Sequence, residues 1–114
     1  MKTFILVIVL AALPIAAHAK PPARCVVQSN GEKPYSGPCS FISEGKGSFG
    51  IEPIGRRAFS GGVTAISVSV TGPGAAEVSG LTTSGINSRW GSARRSRRDP
   101  ACWEGSDFRV CVYR

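Results

Sequence analysis

Apolar and polar residues alternate along much of the chain with a period of two, most clearly from Val63 to Thr71. There Ile66, Val68 and Val70 interleave with Ser67, Ser69 and Thr71, as in a strand with one buried and one wet face. After a Gly72-Pro73-Gly74 turn, Ala75 to Leu81 repeats the pattern, with Ala76 and Val78 on one face and Glu77 and Ser79 on the other. Shorter runs predict strands at Cys25–Ser29, Lys33–Ser36, Cys39–Ile42, Ser48–Glu52, Ile86–Trp90, Ala101–Glu104 and Phe108–Tyr113.

Turn residues separate these runs. Asn30-Gly31 is a strong hairpin signal, and Ser36-Gly37-Pro38, Gly45-Lys46-Gly47, Thr82 to Gly85 and Gly105-Ser106-Asp107 read as further turns. Pro34 has no N–H for a ladder, so its strand is expected at an edge. Pro53 to Gly62 reads as a loop. Alternation assigns Phe41, Phe49, Ile51, Ile66, Val68, Val70, Val78, Phe108 and Val110 to the core. No segment beyond the N-terminus sustains a helical period; a single helical turn is allowed at Ser92–Arg98, between Gly91 and Pro100. The expected fold is all-β, a small antiparallel sandwich or barrel of short strands.

The first nineteen residues have a different pattern. Lys2 precedes an unbroken apolar run from Phe4 to Leu13, and Ala17-His18-Ala19 has the small-x-small form of a cleavage site. This is the layout of a secretory signal peptide. The run falls short of the roughly 20 apolar residues that span a bilayer, so no membrane span is expected. The reading is therefore a signal peptide at 1–19 and one small β domain at 20–114, exported to the periplasm or the cell exterior.

Export bears on the cysteines. A domain of this size is marginal without covalent help, and four cysteines in an exported chain supply it as two disulfides. A four-residue loop in the last hairpin, Gly105 to Phe108, sets Cys102 opposite Cys111, and Cys25 lies within reach of Cys39. The expected pairs are Cys25–Cys39 and Cys102–Cys111, with Cys25–Cys111 as the rival. A metal site is not expected: the cysteine spacings do not suit zinc, and the one histidine, His18, leaves with the signal. No cofactor is indicated.

The same lack of histidine and of a free thiol removes the commonest general bases and nucleophiles, so the protein is expected not to be an enzyme. Glu104 and Asp107 are close in sequence but flank a predicted turn. Gly45-Lys46-Gly47-Ser48 lacks the leading glycine and strand-to-helix setting of a phosphate loop.

What remains is charge. Without Lys2 the chain carries 13 basic and 7 acidic side chains, and residues 89–114 hold 7 of the bases against 3 acids. Arg89, Arg94, Arg95, Arg97 and Arg98 lie within ten residues, with Trp90 and Trp103 on either side. Guanidinium is always charged and forms forked hydrogen bonds to phosphate or carboxylate. Arg89, Trp90, Arg94, Arg95, Arg97 and Arg98 are the candidate anion-binding residues, while Trp103, beside Cys102, is expected to pack in the core. The expected function is that of an exported, non-enzymatic binding module whose basic C-terminal face recognises an anionic envelope polymer, a lipid headgroup or an acidic protein surface. Nucleic acid is not an expected partner of an exported chain. The alternative is a secreted inhibitor or immunity-type protein, whose target enzyme must be acidic because like charges repel.

Overall fold

The computed structural model describes residues 3–9, 11, 21–55 and 57–114. The proposed cleavage site Ala17-His18-Ala19, together with Lys2, lies outside the described residues, and 3–9 has no regular secondary structure. No helix among the described residues is long and apolar enough to cross a membrane.

Eight strands follow one another: β1 (Ala23–Ser29), β2 (Tyr35–Gly45), β3 (Ser48–Pro53), β4 (Val63–Gly72), β5 (Ala75–Thr82), β6 (Asn87–Arg95), β7 (Cys102–Glu104) and β8 (Phe108–Tyr113). Each pairs antiparallel with the next, and β8 returns to β1 through the register Val26↔Cys111 and Val27↔Val110, closing a barrel. Short loops force this order: Lys46-Gly47 joins β2 to β3 with φ of 54° and 84°, the doubly left-handed backbone that suits the twist of a two-residue hairpin. Full closure also leaves no edge strand, so the edge position expected from Pro34 does not exist; Pro34 sits in the loop before Tyr35.

Three further expectations are corrected. Ser36-Gly37-Pro38 is not a turn but part of the continuous strand β2. Pro38 shares its register with Arg24 on β1, and its carbonyl accepts from Ile54 N–H just past the end of β3. The N–H that proline lacks thus faces a ladder that is already ending. Ser92–Arg98 contains no helical turn, because β6 continues through Gly91 to Arg95 and pairs with both β5 and β7. Within the expected loop after Pro53, Ser60–Gly62 makes a single 3₁₀ turn, and Phe59 is buried at 3% exposure.

Eight strands enclose a space just wide enough for side chains to fill. Val27, Ile51, Ile66, Val68, Val78 and Val110 are the fully buried branched residues of that interior. Of the expected core, Phe41 and Val70 are only partly buried, whereas the sequence pattern missed Tyr35, Phe59, Val63 and Ala93. Both expected disulfides are formed and no cysteine is free. Cys25–Cys39 belongs to the interior cluster. Cys102–Cys111 joins directly opposed residues on the outer face, where Arg109 and the Tyr113 hydroxyl contact the Cys102 sulfur.

The antiparallel order sorts the loops between two ends. The β1–β2, β3–β4, β5–β6 and β7–β8 loops share one end, which aromatic side chains plug. There Tyr35 meets Phe59 edge to face at 4.9 Å, and Trp90 meets Phe108 at 5.5 Å. Asn30 N–H donates to Asp107 O at 2.8 Å, tying two of those loops together. The β2–β3, β4–β5 and β6–β7 loops lie at the other end, with the start of β1 and the finish of β8.

Candidate functional site

The β6 strand decides where the arginines go. Its pairing with β5 slips by one residue, from Val78↔Gly91 to Ser79↔Arg89, which leaves Trp90 as the extra residue of a β-bulge. Gly91 takes a φ of 114° there, a backbone that glycine adopts at no steric cost. The slip reverses the alternation. Trp90 packs against the core before the bulge, and Ala93, with Arg95 two residues on, shares the inward face after it. Arg94 therefore stands on the outer wall, and Arg95 turns toward the barrel mouth, its guanidinium carbon 5.1 Å from the centre of the Trp103 ring.

Beyond β6 the chain forms a pinned loop. Arg95 N–H donates to Gly74 O, and Ser96 N–H to Cys102 O. Ser96, at 8% exposure, uses its Oγ to accept from the N–H groups of Arg98 and Asp99 at 3.2 and 3.3 Å. Asp99 takes Ala101 N–H on Oδ1 at 3.0 Å and the Tyr113 hydroxyl on Oδ2 at 2.6 Å. The Tyr113 hydrogen bond, helped by the Ala101 N–H and the Arg109 charge, lowers the Asp99 pKa below the usual carboxylate value; the same bond raises that of Tyr113. Arg97 and Arg98 are exposed on this framework.

The structure thus divides the candidate residues. Arg94, Arg95, Arg97 and Arg98 share one end of the barrel. Arg89 lies on the outer wall near Asn87, Ser79 and Glu77, well back along β6. Trp90 is separated from the arginines and plugs the opposite end against Phe108. Trp103 is buried at 3% exposure, as a core residue. Two cations join the arginine end without having been singled out from sequence: Lys46 in the β2–β3 turn, and Arg114, whose guanidinium carbon lies 4.4 Å from the centre of the Phe41 ring. Counting alternate hairpins was the available signal, because in a meander every second loop returns to the same end.

Among the described residues the one ion pair is Arg109 Nε to Glu104 Oε1 at 3.4 Å, so none of the cations at the arginine end is matched to a carboxylate. The described residues contain no cluster of three or more metal-ligating side chains. No family model, curated protein or solved structure matches the chain.

Proposed function

We propose that this is an exported, non-catalytic binding module whose arginine-bearing barrel end holds an anionic component of the cell envelope or an acidic protein surface. The observation that carries the reading is the company the arginines keep. Arg94, Arg95, Arg97 and Arg98 stand with Lys46 and Arg114 at one barrel end, free of carboxylate partners. Arg97 and Arg98 ride on a loop already ordered by Ser96 and Asp99. An excess of positive charge on an ordered frame attracts anions at a distance and costs little further ordering on contact. Two disulfides in so small a barrel are in keeping with an oxidising compartment.

The test is binding to immobilised lipopolysaccharide, heparin and an acidic protein at low and physiological ionic strength. The quadruple variant Arg94→Ala, Arg95→Ala, Arg97→Ala, Arg98→Ala serves as comparison. Wild-type retention is expected to fall with salt, since screening shortens the reach of exposed charges to about 8 Å. The quadruple variant, its fold checked by circular dichroism, is expected to lose retention. Equal retention of the two proteins would sink the reading.

A further inference from the structure

The mouth of the barrel at the arginine end is a cavity of about 200 Å³ lined by Phe41, Phe49, Trp103, Val112, Arg95 and Arg114, with Ser43 and Ser48 at its rim. We infer that this mouth is a binding pocket for a phosphomonoester carried on a flat or apolar body, the phosphate gripped by Arg95 and Arg114 and the body laid against the aromatic wall. The inference deepens the anion-binding reading of Arg95, and adds a pocket and a second arginine to it.

Three observations converge. First, both guanidinium groups rest on aromatic rings, Arg95 on Trp103 at 5.1 Å and Arg114 on Phe41 at 4.4 Å. A stacked guanidinium is held in orientation by its face, while its N–H donors radiate from its edge and remain available for forked bonds. Second, the lining contains two arginines and no carboxylate, whereas the cavities at the plugged end include Glu32, Glu104 and Asp107. Arg57 also stacks on an aromatic ring, Tyr35, but shares its cavity with Glu32. Third, one side of an otherwise mostly polar lining is aromatic: Phe41 and Phe49 lie 5.2 Å apart with planes 30° from parallel, and Val112 stands beside them.

The charge decides between anions. A phosphomonoester carries about −1.5 to −2 at neutral pH, which two guanidinium groups match, and its three oxygens accept two forks at once. A carboxylate satisfies only one arginine.

The experiment titrates the folded, disulfide-bonded protein with phenyl phosphate, inorganic phosphate and phenol. Binding is read by calorimetry and by the NMR signals of Trp103 Nε1–H and the Nε–H groups of Arg95 and Arg114. Phenyl phosphate is expected to shift all three signals and to bind at least about tenfold more tightly than inorganic phosphate or phenol, because each probe lacks half the contacts. Arg114→Ala is expected to weaken it by about tenfold or more, and Arg114→Lys, which keeps charge but loses the fork, by an intermediate factor. Arg114→Ala removes one of the six cations named at this end and should lower heparin retention only in part. Conversely, the triple variant Arg94→Ala, Arg97→Ala, Arg98→Ala should lose heparin retention yet keep phenyl phosphate binding within about threefold, its exposed charges acting only at a distance. Loss of the heparin result alone thus strikes the surface reading and leaves the pocket standing. A hexose phosphate and phosphatidic acid vesicles distinguish a sugar phosphate from a lipid headgroup as the source, and binding of either is consistent with the pocket. Unmoved Trp103 and Arg114 signals under phenyl phosphate, or an Arg114→Ala protein that binds it as wild type does, overturn the inference.

Discussion

Gly105 opens the β7–β8 turn beneath the ring of Phe108, and Gly105→Ala is expected to be among the most damaging single-methyl additions to this barrel. A Cβ built at Gly105 falls 2.1 Å from Cε1 and 2.3 Å from Cζ of Phe108, whereas ordinary contact begins near 3.4 Å. The ring must therefore retreat by roughly 1.3 Å, or the turn must open. Phe108 is 7% exposed and packs at 5.5 Å on Trp90, so the retreat disturbs the plug of that barrel end. Overpacking of this kind costs about 1–3 kcal/mol, and weakening the aromatic pair adds about 0.5–1.5 kcal/mol. We expect a loss near 2–3 kcal/mol in urea unfolding, or a fall in Tm of roughly 10–20 °C for a domain of this size. A Phe108→Ala background identifies the cause. With the ring gone, Gly105→Ala should cost less than about 0.5 kcal/mol, giving a coupling energy near 2 kcal/mol. An equal cost in both backgrounds, or a cost under about 0.5 kcal/mol in the wild type, would refute the steric argument. Because Gly105 lies at the end opposite the arginines, the surviving folded protein should still bind heparin.

Ser96→Ala removes the acceptor of two backbone N–H groups at a residue only 8% exposed and should cost about 1 kcal/mol; amide exchange of Arg98 and Asp99 should accelerate relative to Val27, and unchanged exchange there would remove Ser96 as the pin of the loop. The Tyr113–Asp99 bond makes the loop sensitive to both pH extremes. The stabilisation by Asp99, whose pKa is lowered, is present above the ordinary carboxylate range and lost as pH falls through the lowered value. That of Tyr113, whose pKa is raised, is present below the ordinary tyrosine range and lost as pH rises through the raised value. Tyr113→Phe should return Asp99 toward ordinary carboxylate behaviour in a carbon-detected NMR titration, and an unaltered Asp99 titration would contradict the assignment. Replacing either cysteine pair by alanine should cost about 3 kcal/mol from loop closure alone, and a peptide map linking Cys25 to Cys102 or Cys111 would contradict the observed pairing.

How far the sequence could be read depended on the range of the interactions involved. β4 and β5 were legible because alternation is a local property of a strand with one wet face, and Cys102–Cys111 because the last turn fixes its own register. The continuity of β2 was hidden, since a Gly-Pro step reads as a turn unless the end of the neighbouring β3 ladder is known. The bulge at Trp90 was equally hidden, yet it separates Trp90 from the arginines and aims Arg95, rather than Arg94, at the mouth. Proximity in sequence placed Arg89 in the cluster; about 3.3 Å of rise per residue carries it away along the wall. Arg114 and Lys46 joined the same end through the antiparallel order of the whole strand set, which no single segment encodes.

The most direct test of the arginine end is to map which arginine Nε–H signals respond when heparin is added to the isotope-labelled protein at low salt. Arg94, Arg95, Arg97 and Arg98 should shift together and recover when salt is raised, while Arg57 and Arg89, away from that end, stay in place. Shifts led by Arg89 or Arg57, or shifts nowhere, would contradict the account.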